Sequence, residues 1–166
     1  MVPVLTAESS SRNHQGEAIS AALAERRESL RLRLLAAGVR SEDVEGVIFD
    51  AIDSVKADSW LSSNPGRRLV QAVDTICEGY AQARAIPYRP ILRLFQRLWT
   101  TIDSRMTEAG LSPLARETVL RTLVRTLGEK TWTEAAASPD LLLSRVDAIC
   151  SAHSRCYSTE DKRLAD

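Results

Sequence analysis

The sequence predicts an all-α protein, a single-domain helical bundle of five long helices plus one or two short ones. In each segment between turn signals, apolar residues recur at steps of three and four, which is the spacing of one helix face. No segment alternates regularly between apolar and polar residues, and no Asn-Gly or Asp-Gly pair marks a hairpin. The length of 166 residues and the hydrophobic content of 44% suit one domain with a single core.

Composition divides the chain into three parts. Few apolar residues follow Leu5, so residues 1–15 are predicted to form a flexible N-terminal arm. The helical bundle domain is expected over residues 16–157. Residues 158–166 are expected to form a flexible tail.

The first two helices are separated by a glycine. A first helix is expected from about Glu17 to Ala37, with Gly38 as the residue that ends it. Ser41 then offers an N-cap, and Glu42 and Asp43 lie in the first turn, where the helix dipole favours acids. The apolar face of this second helix consists of Val44, Val47, Ile48, Ala51, Ile52 and Val55.

Prolines separate the third helix from the fourth. Asn64-Pro65-Gly66 is a turn signal, and a third helix follows it until Pro87. Pro87 cannot continue a helix, whereas Pro90 suits the first turn of the next one, which Gly110 ends. The apolar stripe of the fourth helix consists of Ile91, Leu94, Phe95, Leu98, Trp99, Ile102 and Met106. Leu98 and Ile48 of the second helix lie on the strongest stripes, so both are predicted to be largely buried.

The last third of the chain contains three further helix starts. Ser112 and Pro113 form an N-cap and a first helical residue, and this fifth helix leads to Gly128. Thr131–Ala137 is expected to be a short helix. Ser138-Pro139 begins the last long one.

The charge balance excludes some partners. Lys and Arg together number 22, as do Asp and Glu, so no net charge attracts the chain to nucleic acid or to an anionic membrane. No apolar run reaches the roughly 20 residues of a membrane span, and no secretory leader is recognisable. A cytoplasmic location is therefore expected. The three cysteines, an odd number, are then expected to be free thiols.

Signatures of catalysis and of cofactor binding are absent from the sequence. The seven glycines are dispersed, so no phosphate-binding loop is predicted. Of the two histidines, His14 lies in the predicted arm, where a catalytic base has no fixed position. We therefore predict no catalytic residues and no cofactor, although an enzyme of unknown class remains an alternative.

One cluster has a spacing that suggests metal ligands. Cys150, His153 and Cys156 lie three residues apart on the last helix. On a helix, however, Cys156 rotates away from the other two, and no fourth Cys or His lies nearby. Because a structural zinc site needs four ligands, we predict no metal site.

Two helices carry opposite charges. Residues 41–58 hold six acidic side chains against one lysine, and residues 88–105 hold four arginines against one aspartate. The candidate partner-binding residues on these two helices are Arg89, Arg93, Arg97, Glu42, Glu45 and Asp53. Either the arginines contact an acidic partner or the second helix of a sister subunit, or the two helices neutralise each other within one chain.

An apolar pocket is a further possibility. Third-helix and fourth-helix side chains could line a small-molecule site between helices three, four and five, and the candidates are Cys77, Tyr80, Phe95 and Trp99.

The segment Arg84-Ala85-Ile86-Pro87, followed by Ile91-Leu92-Arg93-Leu94-Phe95 and Trp99, resembles a pattern in the N-terminal helical domains of PucR-type regulators and stressosome co-antagonist proteins. Ala85 stands where glycine is usual in that pattern. The resemblance, which covers residues 81–99, implies a non-catalytic sensory or interaction module. The expected function is a bacterial regulatory or sensory protein that acts through protein–protein contact, as a homodimer or docked to a larger partner.

Overall fold

Seven helices make up the regular structure of residues 6–57 and 64–163, which are the residues described by a computed structural model. No strand is present in this part of the chain, so the predicted all-α class is confirmed. The helices are α1 (Thr6–Ala36), α2 (Ser41–Ala57), α3 (Pro65–Ala83), α4 (Tyr88–Glu108), α5 (Pro113–Thr126), α6 (Glu129–Ala137) and α7 (Pro139–Arg163). Only α6 is short, at 9 residues, so the predicted division into five long helices and one or two short ones holds approximately.

The two terminal helices are longer than predicted. The first helix begins at Thr6 rather than at about Glu17, inside the segment predicted to be an arm. Polar residues such as Ser and Asn lower helix propensity only slightly, so a helix continues through them once an apolar face further along is packed. At the other end, α7 continues to Arg163, inside the predicted tail. The flexibility of these two segments stays a prediction.

Local signals account for several helix starts. Asn64 caps α3, because its side-chain oxygen accepts hydrogen bonds from the backbone N–H groups of Gly66 at 3.0 Å and Arg67 at 3.3 Å. Ser112 caps α5 in the same way, accepting from the N–H of Ala115 at 3.2 Å. Each cap is followed by a proline at the first helical position, which lacks an N–H and therefore loses no bond there.

The core runs between two groups of helices that share α4. The helix α3 packs against α1, α2 and α4, and α7 packs against α4, α5 and α6. The largest fully buried side chain is Trp132 of the short helix α6, whose ring meets that of Phe95 edge-on, with centroids 6.2 Å apart. The sequence did not single out Trp132, because a nine-residue helix shows too little periodicity to identify its buried face.

The burial predicted for two residues of the apolar stripes is only partial. Ile48 and Leu98 are half-buried and pack against the edge of the core. On α4 the deepest positions are instead Phe95 and Ile102, which are fully buried. On α2 they are Ala51 and Val55. The buried face of each helix is therefore rotated slightly from the centre of its apolar stripe.

Candidate interaction groove

Five polar side chains meet where α3 turns into α4. This Asp74 cluster comprises Arg33 of α1, Asp74 and Glu78 of α3, and Tyr88 and Arg89 of α4. Only 14% of the Asp74 side chain is exposed. Its carboxylate accepts a hydrogen bond from the Tyr88 hydroxyl at 2.6 Å and lies 2.8 Å from Nη2 of Arg89, which also contacts Glu78. The Nε of Arg33 lies 3.6 Å away, so one carboxylate connects three helices.

Burial in and beside the Asp74 cluster keeps the Tyr88 hydroxyl and the Cys77 thiol protonated. Burial, aided by the hydrogen bond to Asp74, raises the pKa of the Tyr88 hydroxyl. Burial also raises the pKa of the Cys77 thiol to about 12, and the charge of Asp74 adds to the effect. Because a thiolate is the reactive form of cysteine, Cys77 is a poor nucleophile at neutral pH. The Asp74 cluster is therefore suited to hold helices together.

The three arginines predicted as one stripe have three different environments. Arg89 belongs to the Asp74 cluster. Arg93 is exposed and has no hydrogen bond or ion pair with any described residue. Arg97 donates from Nη2 to the carbonyl oxygen of Ala136 at 3.3 Å, in the last turn of α6, where carbonyls lack partners within the helix. Binding of a partner by these residues stays a prediction.

The predicted acidic residues lie on the exposed surface of α2. Glu42 is 3.2 Å from a guanidinium nitrogen of Arg40, and Asp53 is 4.0 Å from Nζ of Lys56. Glu45 is exposed as well. Among the described residues, no ion pair joins a carboxylate of α2 to an arginine of α4. The opposite charges of the two helices are thus not explained by pairing between them.

The predicted pocket residues are packed with one another or covered by arginine. Cys77 and Phe95 are fully buried, and the Phe95 ring lies 6.2 Å from that of Trp99. The guanidinium of Arg84 stands 3.5 Å from the ring centroid of Tyr80, a cation–π contact. A small-molecule site at these four residues stays a prediction.

A groove that the sequence did not predict lies between α1, α2 and α5. Both α1 and α2 pack on α3, but they share few or no close contacts with each other, so a space of about 730 Å³ remains between them. Its apolar lining comes mainly from Leu23, Leu30 and Leu34 of α1, and from Val44 and Ile48 of α2. The half-buried state of Ile48 follows from its position in this groove.

Charged side chains line the same groove. Arg27 and Arg31 project from α1, Arg121 and Glu117 from α5, and Glu45 from α2. Arg31 stands 5.4 Å from the ring centroid of Trp99, and no carboxylate lies within ion-pair distance of it among the described residues. Arg27 and Arg121 have no hydrogen bond or ion pair with the part of the chain that the structure describes. The groove therefore presents three arginines that form no ion pair with a described residue, against two carboxylates in the same lining.

A polar contact joins two helices at the edge of the groove. The hydroxyl of Ser41, at the start of α2, donates a hydrogen bond to the Glu117 carboxylate of α5 at 2.5 Å. Ser41 was predicted as an N-cap, but this hydroxyl is directed to another helix. The contact is exposed, so its contribution to stability is small.

Two large apolar side chains are exposed beside the groove. Phe49 of α2 is 63% exposed and Leu114 of α5 is 70% exposed. Phe49 follows the groove residue Glu45 by four positions, and Leu114 precedes Glu117 by three, so each shares a helix face with a groove residue. Phe49 could have been noticed in the sequence, because it interrupts the acidic surface of α2 outside its apolar stripe.

The predicted absence of a metal site can be compared with the described residues only in part. Cys150 is buried, and burial raises the pKa of its thiol. The side chain of Cys156 lies outside what the structure describes. Within the described residues, no group of three or more His, Cys, Asp or Glu side chains is placed to hold a metal ion.

None of the described helices has the length and apolarity that a bilayer crossing needs. Comparison with known proteins gives no match to a family model, to a curated protein or to a solved structure.

Proposed function

We propose that this chain is a non-catalytic regulatory protein that acts through protein–protein contact, and that the groove between α1, α2 and α5 is its contact surface. The observation that carries the proposal is the position of Phe49 and Leu114. Both are largely exposed, and each shares a helix face with a residue that lines the same apolar groove.

Burial of these side chains gives a physical reason for binding. Removing apolar surface from water is favourable by about 25 cal/mol per Å². A groove with an apolar floor and two apolar side chains at its rim suits the apolar face of a helix, which is a common way for proteins to recognise one another. The regulatory role is supported by the resemblance of residues 81–99 to sensory domains, which implies an interaction module.

The chemistry of the cysteines favours a non-catalytic role. Cys77 and Cys150 are buried, and burial raises the pKa of both thiols. Both are therefore protonated at neutral pH and are poorly accessible to a substrate. His14 is exposed and lies 3.7 Å from Glu17 of its own helix, far along the chain from either thiol.

Site-specific photo-cross-linking tests the proposal. A photoreactive amino acid replaces Leu114 at the groove rim or, as a matched control, Ala109, which is exposed at the end of α4. In cells that naturally contain the protein, we expect irradiation to join a protein to position 114 and not to position 109. Equal products at both positions, or no protein product at position 114, would contradict the proposal.

A further inference from the structure

We infer that the groove binds a second copy of this chain, and that the exposed stripe of α2 in each copy occupies the groove of the other. This inference rests on the proposed function and names the partner. The stripe consists of Glu42, Glu45, Phe49 and Asp53, at successive steps of three, four and four residues, so its members share one helix face. All four are exposed.

Charge complementarity identifies the stripe as the occupant. The groove presents Arg27 and Arg121 without any partner in the described part of the chain, and Arg31 without a carboxylate. The stripe presents carboxylates on both sides of Phe49. A reciprocal arrangement brings these carboxylates to the arginines and places the Phe49 ring over the apolar lining.

The position of the stripe satisfies the geometry of a two-fold dimer. In such a dimer one surface patch binds its own copy, so the inserting residues and the receiving groove must lie on the same patch. Glu45 belongs to both, because it lines the groove and is a member of the stripe. Phe49 lies one helical turn further along α2, at the edge of the groove.

The structure thereby changes which arginines meet the sister subunit. The sequence predicted contact with a sister subunit or with another acidic partner for the α4 arginines, but Arg89 is bound to Asp74 and Glu78 within its own chain. Arg97 is bound to the carbonyl of Ala136. The arginines of the groove have no ion pair with a described residue, and they line the same groove as α2.

Two charge-reversed variants test the reciprocal arrangement. The first is Arg27→Glu with Arg121→Glu, which makes the groove acidic. The second is Glu45→Arg with Asp53→Arg, which makes the stripe basic. We expect each variant alone to associate with itself at least about tenfold more weakly than the unmodified protein, and Phe49→Ser to do the same. The matched control, Arg67→Glu with Arg145→Glu, changes the same charge on exposed positions of α3 and α7 and should associate normally.

Mixing the two variants gives the decisive measurement. In an equimolar mixture, the acidic groove of one faces the basic stripe of the other. The remaining stripe is unmodified, and the remaining groove is changed only at the shared Glu45, where arginine adds positive charge opposite that acidic stripe. We expect light scattering and sedimentation to show a heterodimer of twice the 18.3 kDa chain mass, whose dissociation increases with salt. Circular dichroism on each variant confirms that it is folded.

Three results would overturn the inference. The unmodified chain could be a monomer at all accessible concentrations, the dimer could persist in both charge variants, or the mixture could remain monomeric. If position 114 then cross-links to a different protein, the proposed function stands and the identity of the partner is wrong. If it cross-links to no protein, both fail.

Discussion

The Asp74 cluster and the groove contain the same kinds of side chain, but among the described residues only the arginines of the cluster form ion pairs with carboxylates. In the cluster, Arg33 and Arg89 share one carboxylate that also accepts a hydrogen bond from Tyr88. In the groove, Arg27 and Arg121 have no partner among the described residues. Each region also lies next to aromatic side chains, so composition alone does not distinguish them.

The difference follows from how closely the helices pack. At the cluster, α3 and α4 are joined by a short turn and α1 lies across both, so the side chains meet, and those of Arg33 and Asp74 are each only 14% exposed. At the groove, α1 and α2 diverge over α3, and the charged side chains remain in contact with solvent. Paired, desolvated charges stabilise one arrangement of the helices, whereas unpaired solvated charges remain available to a partner.

The two regions should differ most in how much the free energy of unfolding falls when one carboxylate is removed from each. Asp74→Ala leaves Arg33 poorly solvated and removes the acceptor of the Tyr88 hydroxyl, so we expect it to lower the free energy of unfolding by about 2–3 kcal/mol. Glu117→Ala removes one exposed hydrogen bond in the groove, and we expect a loss of no more than about 0.5 kcal/mol. Urea denaturation at pH 7 measures both. Similar losses in the two variants would show that the cluster is no more than a surface network.

The helices of both regions could be predicted from the sequence, but the pairing of their charges could not. Helix faces and helix ends depend on residues within a few positions, such as Asn64 with Pro65 or Ser112 with Pro113. The contact between Asp74 and Arg33 joins residues 41 positions apart, and nothing local specifies it.

The groove was missed for the same reason. Whether α1 and α2 pack closely or diverge depends on the angles at which each crosses α3, and a helical pattern does not encode those angles. One local signal was present: Phe49 lies outside the apolar stripe of α2, among acids. The predicted arginine stripe at Arg89, Arg93 and Arg97 was read from spacing alone, which does not show that the first and last residues of the stripe have partners in the same chain.

Alkaline pH should lower the free energy of unfolding, and part of this loss should come from Cys77, which lies beside the Asp74 cluster. The pKa of this thiol is raised from 9.0 to about 12 in the folded chain, so the unfolded chain loses its proton first as pH rises. The contribution of this thiol to the free energy of unfolding is then fully present below pH 9 and is lost progressively as pH rises towards 12. Between pH 8 and pH 10 we expect a loss of about 1.3 kcal/mol from this group, and the raised pKa of Tyr88 acts in the same direction at higher pH.

Urea denaturation at pH 8 and pH 10 measures this loss, and Cys77→Ala is the control. The variant is less stable at both pH values because a buried side chain is shortened. Between the two pH values, the free energy of unfolding of the variant should nevertheless fall by about 1 kcal/mol less than that of the unmodified chain. The same loss in both proteins would show that the thiol does not contribute.

The smallest expected differences in stability concern the two turns that follow α1 and α3. Each ends a helix with the same pair of hydrogen bonds, from the N–H groups of Gly38 and Val39 after α1, and of Ala85 and Ile86 after α3. In this motif the first of the two residues has a positive φ, which is 71° at Gly38 and 53° at Ala85. The left-handed conformation costs a residue with a Cβ about 1–2 kcal/mol, and glycine adopts it freely.

Ala85→Gly should therefore stabilise the chain, because it removes this cost and adds a smaller one for the greater freedom of glycine when unfolded. We expect a net gain of about 0.5 kcal/mol and a rise in Tm of about 1–2 °C. Gly38→Ala is the opposite change in the same motif. It should destabilise, both because φ is positive and because the new Cβ would lie 2.8 Å from Cδ1 of Ile86. Thermal denaturation distinguishes the two variants. A fall in Tm for Ala85→Gly would mean that the Cβ of Ala85 contributes packing worth more than the strain it causes, and that the two turns are not equivalent.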